Sequence, residues 1–174
     1  MKLRSRFFLI FPFILTGCGI YSFTGTTLPS SIRTFSVQEF FNDTDGGPPN
    51  LGLTLTNEMR DYFQSNSSLT LVQEEGDLQF EGGIIEYRLT PVAPTNTGTG
   101  INNITSSSVT RLTIVVRAAF TNTVDETQSF NRSFNFYADF NSVTETLNDA
   151  ENRLIETIFE QIILDIFNAS VAVW

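Results

Sequence analysis

A chain of 174 residues, 41 % of them hydrophobic, has enough apolar surface for one sizeable core and no more. Nineteen acidic residues outweigh ten basic ones, a formal charge of -9 that repels nucleic acid and offers anionic lipid no polybasic patch. Histidine is absent and Lys2 is the only lysine, which excludes Ser-His-Asp and Cys-His catalysis, lysine Schiff bases, the P-loop lysine and histidine-ligated zinc.

The first predicted element lies outside the folded domain. Lys2, Arg4 and Arg6 precede an apolar run from Phe7 to Ile14, broken only by Pro12, and Thr16 and Gly17 then lead to Cys18. This is the anatomy of a secretory signal, and the run is too short to span a bilayer as a helix. Leu15-Thr16-Gly17-Cys18 resembles the lipobox of bacterial lipoproteins, whose cysteine is acylated and becomes the new N-terminus. The chain then divides into a signal peptide over 1–17, a lipidated tether over 18–30 and a single domain over 31–174. Acyl chains contribute about 0.8 kcal/mol per buried CH₂, and more than one chain makes such an anchor stable. Gly19, where an aspartate would signal inner-membrane retention, directs the expectation to the outer membrane, on its periplasmic face. With Cys18 the only cysteine, no disulfide can form. The mature chain would hold seven arginines against 19 acidic residues, a formal charge of -12.

Weak alternation predicts a first strand over Ile32 to Phe40, ended by the turn-rich Gly46-Gly47-Pro48-Pro49. Asn50 is placed to cap a helix whose stripe is Leu51, Leu55, Met59, Tyr62 and Phe63, ending near Asn66. A short strand over Leu69 to Val72 leads to the acidic turn Glu74-Glu75-Gly76. In the long strand from Asp77 to Val92, Leu78 and Phe80 share one face while Ile85, Tyr87 and Leu89 fall in the opposite phase. A bulge at Gly82-Gly83 would reset that alternation. The polar loop Pro94 to Ser108 is long enough to raise the question of a contact role.

The next two strands are the clearest. Leu112, Ile114, Val116, Ala118 and Phe120 occupy one face, and after a polar turn Phe130, Phe134, Phe136, Ala138 and Phe140 do so again, predicting an antiparallel hairpin. Ser142-Val143-Thr144-Glu145 fits a capping box opening a long helix, with Leu147, Leu154, Ile158, Ile162 and Ile166 on its stripe. Glu145, Asp149 and Glu151 suit the positive end of its dipole. Phe159, Ile163, Leu164 and Phe167 widen the apolar arc beyond what one sheet covers, so a loop or a partner is expected over it. The order of elements predicts an α+β two-layer sandwich: a mixed, mostly antiparallel sheet with two helices packed on one face.

Few residues propose chemistry. Asp43-Thr44-Asp45-Gly46 fails the calcium-loop spacing, with glycine at the fourth position and Thr54 at the twelfth. Glu74, Glu75 and Asp77 read as a solvated turn, and no carboxylate pair is set apart for acid–base work. No catalytic, cofactor or metal residues are therefore assigned. Arg111 and Arg117 share a strand face and Arg132 lies on the neighbouring strand, a candidate cationic patch for an anionic lipid.

The chain is similar to the lipopolysaccharide-assembly lipoproteins, the LptE-like family, and most to its Bacteroidetes type. The resemblance rests on Cys18-Gly19-Ile20-Tyr21-Ser22-Phe23-Thr24-Gly25, Gly76-Asp77-Leu78-Gln79-Phe80-Glu81-Gly82 and Arg111-Leu112-Thr113-Ile114. It continues in Phe134-Asn135-Phe136-Tyr137-Ala138-Asp139-Phe140 and in the tail from Asp165 to Trp174. The resemblance implies a non-enzymatic lipoprotein that plugs and helps assemble a large outer-membrane β-barrel, LptD-like, and assists lipopolysaccharide on its way to the cell surface. It would set Phe159, Ile163 and Phe167 against the barrel wall, loop 94–108 in its lumen, and Arg111, Arg117 and Arg132 near the lipid. Family members that contact lipopolysaccharide do so through basic residues, and here only arginine is on offer. The alternative is a lipoprotein activator of a periplasmic cell-wall synthase, or a secretion-pore lipoprotein.

Overall fold

Two strands with strict alternation and a long apolar helix set the frame. A computed structural model describes residues 28–92 and 109–171. Strands β1 (Thr34–Val37) and β2 (Phe41–Asn42) precede helix α1 (Leu51–Asn66) and strand β3 (Thr70–Leu71). Then come β4 (Leu78–Pro91), β5 (Val109–Asn122), a 3₁₀ turn (Glu126–Gln128), β6 (Phe130–Asn141) and α2 (Leu147–Ser170). The six strands form one mixed sheet in the order β3-β1-β4-β5-β6, with β2 also on β4. Pairings among β1, β2, β3 and β4 are parallel, while β4–β5 and β5–β6 are antiparallel. This is the expected α+β architecture. The predicted hairpin is present residue for residue, Leu112, Ile114, Val116, Ala118 and Phe120 all being buried.

The first strand is shorter than predicted. Beyond Val37 the chain turns Phe40 into the core, and the Phe40 N–H is taken by Thr56 Oγ1 of α1 at 2.9 Å. A buried N–H that leaves the ladder needs such a partner. The helix start presses so closely on this bend that a Cβ at Gly52 would overlap the Phe40 carbonyl oxygen. Helix α1 otherwise runs as read, burying Leu51, Leu55, Met59 and Phe63 at a four-residue spacing. Asn50 stands at its N-cap without capping through its side chain, which reaches Thr54 Oγ1 at 3.3 Å instead.

The phase change in β4 does not fall at the glycines. Gly82 and Gly83 stay in register, opposite Ala118 and Arg117, and the slip lies between Ile84 and Glu86. Ile85 is the extra residue, so Ile84 points inward and Tyr87 returns to the helix side. The glycines answer to close approach instead: a Cβ on Gly82 would overlap the Arg117 carbonyl, and one on Gly83 would meet the Phe41 ring.

Helix α2 begins later than the capping box predicted. Residues 142–145 are spent turning out of β6, with Thr144 and Glu145 N–H both donating to the Asn141 carbonyl. The box that operates is Thr146 with Asp149, whose carboxylate accepts from the Thr146 N–H at 3.2 Å and hydroxyl at 2.6 Å. Glu145 pairs with Arg153 at 3.1 Å. Both helices lie on one face, α2 chiefly over β6 and α1 over the β1–β3 side, and their stripes join the inward strand residues in one core. An aromatic chain threads it: Phe63 touches Phe35, Phe80 and Phe167, Phe80 stacks on Phe120, and Phe120 meets Phe130.

Asp77 shows why the turn before β4 is acidic. One of its carboxylate oxygens accepts from Arg33 N–H at 2.8 Å and from Thr34 N–H and hydroxyl at 2.9 Å. These bonds, led by the Arg33 N–H, hold its pKa below the ordinary 3.8. They tie the start of β1 to the start of β4. Asp77→Asn is expected to cost about 1 kcal/mol at neutral pH, because charge-assisted bonds become neutral ones. A folded-state pKa that lies low contributes stability above the ordinary carboxylate range and loses it as pH falls through the lowered value. The difference between the two proteins in urea midpoint should accordingly narrow as pH falls below the ordinary carboxylate range.

Candidate functional site

The sheet face opposite the helices carries no packed element among the described residues, and its outward side chains form the surface open to a ligand. Here Arg111 and Arg117 stand on β5, as expected. Six residues of strand separate them, about 20 Å, too far to grip one phosphate. Arg111 is already engaged: it makes a two-pronged pair with Asp139 at 2.7 and 2.9 Å, and its guanidinium lies 3.6 Å from the centre of the Tyr137 ring. The pairing raises the arginine's pKa and lowers that of Asp139.

Arg132 does not join them. It shares the phase of Phe130 and Phe134, opposite the inward-facing Ala118, and so lies on the helix side of β6. Its guanidinium is 4.7 Å from each of those two rings. The three arginines therefore do not make one patch. Among the described residues only Arg117 lacks a side-chain hydrogen bond, an ion pair or a ring contact, since Arg33, Arg60, Arg88 and Arg153 are all bonded.

Arg117 opens onto a groove of about 600 Å³ on the outer face. The floor is Gly82 and Gly83, and the walls include Phe41, Ile85 and the carboxylates Glu39, Asp43 and Glu81. Phe41 lies over Gly83 and is 60 % exposed, a large apolar ring offered to solvent. The groove was not foreseen, because it depends on β2 pairing with β4 beside the glycines. The exposed phenylalanine next to a glycine pair was its one readable signal.

The surplus apolar arc of α2 is closed within the chain. Phe159 is 0 % exposed and Ile163 2 %, both inside the core. Phe167 meets Phe63 and Tyr62 of α1 edge-on at 5.1 and 5.4 Å. The expected barrel contact is thus corrected: Phe159 and Ile163 are enclosed in the chain's own core, and Phe167 packs against α1. On the far side of the same helix pair, Glu58 of α1 faces Glu156 and Glu160 of α2 and has Asp61 beside it. Half-burial, then these charges, push its carboxyl up from the ordinary 4.5 to about 7. Cys18 and loop 94–108 lie outside the described residues. No helix among those residues is long and apolar enough to cross a membrane.

No curated protein sequence matches the chain significantly. Among solved structures it is similar to the hypothetical protein CT253 from Chlamydia trachomatis, with a TM-score of 0.52 and 10 % identity, over 80 % of this chain and 98 % of that one. It is also similar to a minor lipoprotein from Acinetobacter baumannii (TM-score 0.45, 13 % identity, 78 % and 90 % covered). Rare lipoprotein B from Shewanella oneidensis gives a TM-score of 0.44 at 14 % identity, with 79 % and 90 % covered. At such identities a likeness speaks for the fold alone, and only the first reaches that level. The sequence itself carries the assignment: the model of the LptE lipopolysaccharide-assembly family matches residues 32–170, from before the first strand to the end of the last helix, and the chain belongs to that family.

Proposed function

We propose that the mature chain is a non-enzymatic outer-membrane lipoprotein, held by acyl chains on Cys18, that seats in and helps assemble a large β-barrel through which lipopolysaccharide reaches the surface. The observation that carries this reading is the family match over nearly the whole described domain. The signal and lipobox read from residues 1–18 agree with it. The free outer sheet face supplies the surface for contact, in place of the arc at Phe159, Ile163 and Phe167. Of the three arginines, Arg117 is the one available to a lipid phosphate.

Isolation of the lipidated chain from detergent-solubilised outer membrane should recover a large β-barrel in near-stoichiometric amount, and depletion should admit large hydrophobic antibiotics. Recovery of cell-wall enzymes alone, with altered cell shape on depletion, would overturn the proposal. Arg117→Ala is expected to weaken binding of purified lipopolysaccharide by about three- to tenfold, the scale of one charge-assisted contact. Arg111→Ala, which removes a guanidinium already paired, should change that affinity by less than about twofold.

A further inference from the structure

The sheet is unequally finished at its two ends. On the β3 side the edge is two residues long, Thr70–Leu71, which is one way natural sheets avoid unwanted pairing. At the other end β6 runs for 12 residues, about 40 Å, in unbroken register with β5 from Phe120 opposite Phe130 to Val109 opposite Asn141. Among the described residues no strand lies beyond it. Of the usual guards its sequence lacks proline, lysine and a bulge. It has two charges. Asp139 is held by Arg111, and Arg132 is laid on Phe130 and Phe134 without an ion pair among the described residues.

We infer that the free edge of β6 docks one extended peptide segment of a partner, taken up as a further strand of the sheet. The inference concerns the edge alone and does not depend on which partner carries the segment. Main-chain hydrogen bonds supply affinity in such strand addition, and alternate side chains supply choice. A second copy that brings its helices to the same face does not fit. Its β6 would lie about 4.8 Å from this one with its own α2 above it, whereas packed helix axes stand about 8–10 Å apart. The occupant is therefore a strand with no helix layer on that face.

The helix-side rim states its chemistry. A cleft of about 500 Å³ runs between the edge and the end of α2, lined by Arg132, Ser133, Phe134, Asp165, Asn168 and Ala169. Asp165 accepts from the neutral Gln161 amide at 3.0 Å and keeps its charge, and among the described residues Arg132, laid on its two rings, has no carboxylate paired to it. Phe130 and Phe136 are only half-buried on the same side. The segment that fits alternates apolar residues inward and sets a carboxylate against Arg132.

The test uses the detergent-solubilised full chain and a capped synthetic peptide, Thr-Val-Thr-Glu-Thr-Val-Thr. Amide hydrogen exchange in β6 is expected to slow at least tenfold at alternate positions, with β1 and β3 unchanged. A peptide N-methylated at alternate amides should give no protection, and lysine in place of its glutamate should weaken binding several-fold. Asn135→Lys, an exposed position where a guard does not disturb the fold, should abolish the effect with the urea midpoint unchanged. Three results would overturn the inference: no protection, equal protection by the methylated peptide, or concentration-dependent protection of β6 without peptide, which would make a second copy the occupant.

Discussion

Truncation of Phe63 to alanine is expected to cost about 3–5 kcal/mol, the range for a large buried aromatic. Phe63 is 0 % exposed and stands where the two helices and the sheet meet. Its ring centre lies 4.8 Å from Phe80 of β4, 5.1 Å from Phe167 of α2 and 5.7 Å from Phe35 of β1. Removal opens a cavity bounded by four elements, none of which can collapse into it without leaving another neighbour. Native stabilities of about 5–15 kcal/mol make this a large fraction of the total. At a urea slope of about 2 kcal/mol per M, the midpoint should fall by about 1.5–2.5 M. Phe41→Ala is the internal control, because its ring is 60 % exposed, and it should shift stability by no more than about 0.5 kcal/mol. A Phe63→Ala midpoint within 0.5 M of the parent's would mean that the aromatic chain is not the keystone of this core.

Elements governed by a local period could be read from the chain, and features set by distant neighbours could not. The β5–β6 hairpin was legible because ten apolar residues alternate with one interruption, at Arg132, and a period of two admits one face only. The α1 stripe was legible for the same reason at a period near four. The bulge was not, because Gly82-Gly83 looks like the place to break a strand. Those glycines serve the Arg117 carbonyl and the Phe41 ring, contacts made across 35 and 42 residues of chain. The slip falls at Ile85, where the phase of apolar residues changes, and that change was the better signal.

Two site expectations failed in instructive ways. Arg132 was grouped with Arg111 and Arg117 by strand neighbourhood, yet its parity with Phe130 and Phe134 already assigned it to the other face. The arc at Phe159, Ile163 and Phe167 was correctly seen as too wide for a sheet. Phe159 and Ile163 enter the common core, and Phe167 meets a helix about a hundred residues earlier, which no local pattern on α2 names. The capping box erred by choosing the first of two overlapping candidates, and the chain needed residues 142–145 to leave β6.

The α1–α2 seam that buries Phe167 also sets acids against acids, and Glu58→Gln is expected to stabilise the protein in a strictly pH-dependent way. Glu58 loses water on the flank of α1 and faces Glu156 and Glu160 from α2 and Asp61 from its own helix, which together raise its carboxyl to about 7. The folded state therefore holds this proton more tightly than the unfolded chain, whose glutamates titrate near 4.5. The stabilisation that follows is complete below 4.5 and is lost as pH rises through 7. At about 1.4 kcal/mol per pH unit the gap would reach about 3 kcal/mol for an enclosed group, and solvent screening of a half-buried one brings it to about 2. Glutamine keeps the shape of the protonated acid and cannot ionise. The variant should match the parent at pH 4 and exceed it by about 2 kcal/mol at pH 8, read from urea midpoints at both values. A constant offset across that range would assign the gain to packing and remove the carboxylate cluster as its cause. Glu39→Gln, on the outer face of the sheet and away from the seam, should shift stability by no more than about 0.5 kcal/mol.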